Sequence, residues 1–119
     1  MIEGKSAKTR SISAGIPVVD LEMAKAYIQG AVHSHCNFCP DGEISVRLLF
    51  GGDNRDWEGT PLQVIYDYHH NMDGGKTHDK AAESAAKDVG HLLKKVLADD
   101  RRTFIYSGNE RGNKYKMKK

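Results

Sequence analysis

The chain has two cysteines, one tryptophan, no long apolar run and no internal repeat. No stretch approaches the ~20 apolar residues that a bilayer-spanning helix needs, so a membrane span is not expected. Met1-Ile2-Glu3-Gly4-Lys5-Ser6 has no apolar segment of the signal-peptide kind. A cytoplasmic setting is therefore expected, and it would keep both thiols reduced. With only two cysteines, a structural zinc site would have to be of the Cys2His2 type. No low-complexity block is present apart from a lysine-rich end.

What is present is enough for one ordinary domain: 119 residues, 39% hydrophobic and 29% charged. The net charge of +2 is unevenly spread. Residues 1–10 carry Lys5, Lys8 and Arg10 against Glu3, and residues 109–119 carry five Lys/Arg against Glu110. The 11–108 body holds ten Lys/Arg and fourteen Asp/Glu, so a mildly acidic body lies between two basic ends. Basic ends favour polyanions through counterion release, and unanchored ends are also simply mobile and solubilising. The expected organisation is a flexible basic arm over 1–16, one domain over 17–108 and a flexible basic tail over 109–119.

Hydrophobic periodicity supplies the elements. Pro17 leads into a helix with Asp20 as N-cap and with Leu21, Ala24, Ile28, Ala31 and Val32 as its apolar stripe, which Met23 and Tyr27 widen. Gly30 weakens this helix by ~1 kcal/mol relative to Ala and points to a close packing contact. Pro40 disfavours helical backbone at Cys39 and ends the element there. Glu43 to Phe50 alternates, with Ile44, Val46, Leu48 and Phe50 on one side, and predicts a strand. Pro61 to His70 predicts a second, pairing with the first as a long-looped hairpin. Thr77 caps a second helix running to about Ala98, whose buried face is Ala82, Ala85, Ala86, Val89, Leu92, Leu93 and Val96. Thr103 to Ser107 predicts a third strand. The resulting fold class is α+β in the order α-β-β-α-β, a three-stranded sheet with two helices packed on one face. The opposite face, carrying Arg47, Gln63, Asp67 and His69, would be open.

The densest chemistry lies in His33-Ser34-His35-Cys36-Asn37-Phe38-Cys39. Cys36-x-x-Cys39 has the spacing of half a zinc knuckle, with His33 or His35, or His69 and His70 farther along, as the remaining ligands. The alternative is that the thiols are small hydrophobes closing the first helix. A redox role fits poorly, because such cysteine pairs open a helix rather than follow one.

Asp73-Gly74-Gly75-Lys76-Thr77 is similar to the end of a P-loop, but His70 stands where the first glycine is required. A turn and an N-cap, with an anion contact through Lys76, is the simpler reading. Gly75-Lys76-Thr77, Lys80 and the alanines Ala81, Ala82, Ala85 and Ala86 resemble the last turn and helix of double-stranded-RNA-binding domains. That resemblance implies phosphate contacts by Lys76 and Lys80. It covers less than a fifth of the chain. The chain departs from that pattern, with two expected strands before the helix instead of three and an added strand after it.

The loop after Phe50 holds Arg55 and Trp57, an anchoring pair for a protein pocket; the carboxylates of Asp53, Asp56 and Glu58 beside them would repel phosphate. Trp57 could instead fold back over the sheet edge. Asp67 and His69 share a strand face, with Ser45 across the hairpin, the minimum for acid–base chemistry.

Together these features lead to a small non-enzymatic binding protein of adaptor or inhibitor type, without a required cofactor. It would grip a protein partner through Arg47, Arg55, Trp57 and His69 on the open sheet face and the 51–60 loop. The open sheet face would also admit a homodimer. The alternatives are a nucleic-acid-binding module using the basic ends with Lys76, Lys80, Arg101 and Arg102, and a small domain stabilised by zinc on Cys36, Cys39, His33 and His35.

Overall fold

The computed structural model describes residues 1–3, 15–51, 57–72, 76–108 and 113–118. The class is α+β, as the sequence predicts, but the element order differs. Strand β1 (Ile2–Glu3) is followed by helices α1 (Val18–Phe38), α2 (Val46–Phe50) and α3 (Gln63–Asp67), which continues into a π-helical turn (Tyr68–Met72). Helix α4 (His78–Asp99) and strands β2 (Phe104–Gly108) and β3 (Lys114–Met117) complete the described elements. Among the described residues no helix is long and apolar enough to cross a membrane.

The two long helices form where the 3.6-residue period is strongest. Helix α1 buries Ala24, Ile28, Val32 and Cys36, one residue per turn. It starts earlier than the Asp20 cap predicts, because Pro17, with φ −57°, already has the backbone geometry of a helix entry. Thr77 caps α4 as expected, its hydroxyl accepting from the Lys80 amide at 3.4 Å. Helix α4 lies at the centre of the fold and packs against α1, α2, α3 and the π turn.

The two expected middle strands are helical. Alternation over so few residues also satisfies a helical template, and burial decides between them. Along 61–70 the deeply buried positions are Leu62, Ile65 and His69, spaced by three and four. That is one helix face, not the period of two. In α2, Ser45 caps the element by accepting from the Leu48 amide at 3.1 Å, while Leu48 itself is 59% exposed. Gly51 closes α2 in the left-handed region, φ 81°, where its lack of a Cβ avoids strain. Of the predicted strand 43–50 only Ile44 joins the sheet through its backbone, in an antiparallel bridge with Tyr115, while the Glu43 carboxylate accepts from the Ser107 hydroxyl of β2 at 3.1 Å.

The sheet is therefore built from the chain's ends. β1 runs parallel to β2, with Ile2 opposite Phe104, and β3 runs antiparallel to β2, with Tyr106 opposite Tyr115. Ile2–Glu3 and Lys114–Met117 lie in segments expected to be flexible arms. Their inward residues Ile2 and Tyr115 are buried with Phe104 in the core. The outer sheet face carries Glu3, Ile105 and Lys116 in register, and Lys118 reaches Glu3 at 3.0 Å. Arg47, Gln63, Asp67 and His69, expected on that face, lie on helices instead.

Candidate functional site

Helix α1 has its apolar residues on too many sides. At about 100° per residue, its core face is centred on Ile28 and Val32. The arc pointing directly away holds Val19, Met23, Ala26, Tyr27, Gly30, Ser34, Asn37 and Phe38, all exposed. None of the eight is charged. Val19 is 66% exposed, Met23 56% and Phe38 83%. A surface helix normally places its charges on this arc. Here half-buried Asp20 shares the edge of Phe38, Glu22 lies beyond the other edge, and Lys25 lies toward the core face, 3.5 Å from Glu22. Exposed apolar residues scattered singly need no explanation, whereas a contiguous patch marks a contact surface.

Gly30 lies at the middle of the arc, and a Cβ built there meets nothing within 4 Å. The close contact expected at this glycine is therefore not made within the monomer among the described residues. Met23 and Tyr27 do not widen the core stripe as expected, because they lie beyond its edge. Tyr27 instead leans toward α2, its ring 5.6 Å from that of Phe50.

The residues proposed from sequence for a protein partner disperse. Trp57 is 7% exposed, and its indole N–H donates to the Phe50 carbonyl at 3.0 Å. It is a core residue, and the anchoring role is corrected accordingly. Arg55 lies outside the described residues. Arg47 is exposed on α2. His69 is buried, its Nε2 2.7 Å from Asp88 Oδ2. Asp88, a carboxylate beside Val89 on α4, turns inward to meet it.

The residues proposed for nucleic acid do not form one patch. Lys76 and Lys80 flank the start of α4, whereas Arg101 and Arg102 follow its end, a helix length of ~33 Å away. Lys76 Nζ donates to Ser84 Oγ at 3.1 Å and lies 3.5 Å from His69 Nδ1. Arg102 is held by Asp100. The segment before α4 is helical, so the strand-then-turn context behind both the P-loop similarity and the double-stranded-RNA-binding resemblance is not present. Gly74 and Gly75 lie outside the described residues.

The residues proposed for zinc also separate. Cys36 is buried and Cys39 exposed. Burial pushes the Cys36 thiol pKa up, with Arg102 opposing the rise, so the thiolate is disfavoured. His35 Nε2 is sealed where a Cβ on Gly42 would lie 3.1 Å from it, and it has no hydrogen-bond partner among the described residues. Among the described residues no three His, Cys, Asp or Glu side chains converge as ion ligands. The acid–base trio is likewise not assembled. Asp67 accepts from Gln63 at 2.9 Å, Ser45 caps α2, and His69 turns to Asp88.

One cleft borders the exposed arc of α1. It encloses about 340 Å³ and is lined by Gln29, His33, Asp99, Asp100, Arg101 and Arg102. Asp100 accepts from Arg102 at Nε (3.0 Å), at a terminal guanidinium nitrogen (2.9 Å) and at the backbone amide (2.8 Å), and from Gln29 at 2.8 Å. Hydrogen bonds from the Arg102 side chain, more than offsetting burial, hold the Asp100 carboxyl well below the usual carboxylate range. Arg102 also lies 3.4 Å from His33 Nδ1. Arg101 is exposed and forms no ion pair among the described residues. Comparison with protein-family models, curated proteins and solved structures found no match to this chain.

Proposed function

We propose that this chain is a non-enzymatic protein-binding module whose contact surface is the outer arc of α1. The observation that carries the reading is the 20-residue run from Val19 to Phe38, in which the solvent-facing arc holds exposed apolar residues and, at one edge, the single half-buried carboxylate of Asp20. Apolar area removed from water contributes roughly 25 cal/mol per Å², and a helix laid into a groove collects it through anchors at i, i+4 and i+8, the spacing of Val19, Met23 and Tyr27. Three of the polar groups expected from sequence to bind a partner, nucleic acid or both are already occupied: His69 with Asp88, Lys76 with Ser84, Arg102 with Asp100. The basic ends and the outer sheet face remain secondary surfaces in this reading.

The test is the paired substitution Met23→Glu/Phe38→Glu. Both side chains are exposed, so stability is expected to change by only about 0.5 kcal/mol. In nuclease-treated host lysate the tagged wild-type chain is expected to elute in a complex, and the variant as the free chain with an unchanged melting temperature. Equal elution of the two chains contradicts the reading, and a complex dissolved by nuclease alone favours nucleic acid instead.

A further inference from the structure

Resting on that reading, we infer that the partner laid on α1 is a second copy of this chain, in an antiparallel helix pair that crosses between Ala26 and Gly30. Shape and charge of the arc are together self-complementary in that arrangement.

Shape comes first. A two-fold contact places the same patch on both sides of the interface, so small must meet small at the crossing and bulk must meet bulk at the ends. Ala26 of each helix against Gly30 of the other lets the backbones approach closely. This gives a use for the glycine that the monomer does not provide, since the space above Gly30 is open. The same register sets Phe38, the most exposed large apolar side chain, over the Val19 end of the second helix.

Charge supports the same register. Glu22 lies just beyond one edge of the arc, at its N-terminal end, and 65% of its side chain is exposed. His33 lies on that same edge toward the C-terminal end, at the mouth of the cleft that also holds Arg101 and Arg102. An antiparallel two-fold pair keeps like edges together while reversing direction. Glu22 of each copy then comes level with His33 of the other, within about one residue's rise of ~1.5 Å. The carboxylate would enter the cleft beside Arg101, the cation there with no ion pair among the described residues. A parallel two-fold pair would instead set this edge against the opposite edge of the second arc, leaving Glu22 and His33 of the two copies on opposite sides of the seam. The antiparallel arrangement also opposes the two helix dipoles.

The experiment is sedimentation equilibrium of the purified full chain over about 1–100 μM, since self-association must follow mass action. Wild type is expected to be dimeric in the upper part of that range. Gly30→Glu, a better helix former placed at the crossing, is expected to be monomeric with unreduced helicity. Glu22→Lys alone is expected to weaken the dimer about tenfold or more, and Glu22→Lys/His33→Glu to return it to within about threefold of wild type. A dimer indifferent to Gly30→Glu, or a charge swap without recovery, overturns the proposal. A wild-type monomer throughout also overturns it. In that case persistence of the Met23/Phe38-dependent complex in lysate leaves the protein-binding reading standing with a different partner, and its absence removes both.

Discussion

Asp100→Ala is expected to destabilise the protein by about 3 kcal/mol, lowering the melting temperature by roughly 10 °C. Four donors converge on this carboxylate, three from Arg102 and one from Gln29. Its side chain is 5% exposed and that of Arg102 27%. Removing the acid strands a guanidinium and an amide in a half-closed cleft. Partial access of Arg102 to water places the loss at the lower end of the range for broken buried pairs. Asp100 also ties the end of α4 to α1 through Gln29 and to the approach to β2 through Arg102, so one substitution loosens three elements. Calorimetry of the wild type and variant measures it, and a loss below about 1 kcal/mol contradicts the assignment.

The same carboxylate gives the protein an acid limb. Because the folded-state pKa lies below the unfolded one, the unfolded chain takes up the proton first as pH falls. The stabilisation is fully present above the usual carboxylate range near ~4 and is lost progressively below it. Wild-type melting temperature should therefore fall more steeply than that of Asp100→Ala between pH 5 and pH 2, and the gap between them should narrow. A gap that stays constant over that interval contradicts this linkage.

Trp57→Ala is expected to cost about 4 kcal/mol, a truncation of a buried aromatic with no room for the surroundings to collapse fully. The indole is buried in the same core as Phe50 and Leu62, and the Phe50 carbonyl loses its N–H donor as well. An exposed anchor would behave in the opposite way, leaving the fold intact while abolishing a complex. Chemical denaturation separates the two outcomes. A shift of less than 1 kcal/mol would show that Trp57 is not part of the core.

The long elements are legible in the sequence and the short ones are not. Helices α1 and α4 extend over five or more turns, so their apolar period outlasts any accident of composition, and their ends carry Pro17, Pro40 and Thr77 as signals. Residues 43–50 and 61–70 are too short for that. Ile44-Val46-Leu48-Phe50 alternates cleanly, yet the capping hydroxyl of Ser45 and the sheet bridge at Ile44 pull the segment into one helical turn after a single bridged residue. β1 and β3 could not be read from pattern, because two or four residues leave no period to count. Tyr115 gives no sign of its burial amid five lysines and arginines of the tail. The burial of Asp88 is not legible either, because a carboxylate in mid-helix normally faces water and only the tertiary approach of His69 reverses that.

The candidate surface was half legible. Gly30 in the middle of a helix signals a close contact, and Met23, Tyr27 and Phe38 add apolar residues beyond one face. Pattern alone assigns such residues to a wider core stripe. Only the angular position of the core, set by how α4 packs on α1, reveals that they point away from it.

The most direct test of that surface is site-specific photo-crosslinking inside the host cell. A benzophenone side chain placed at Tyr27 should yield a discrete protein adduct, with the same side chain at Glu83, on the charged outer face of α4, giving none. An adduct of the same mass and yield at both positions, or at neither, contradicts the assignment of the α1 arc as the binding surface.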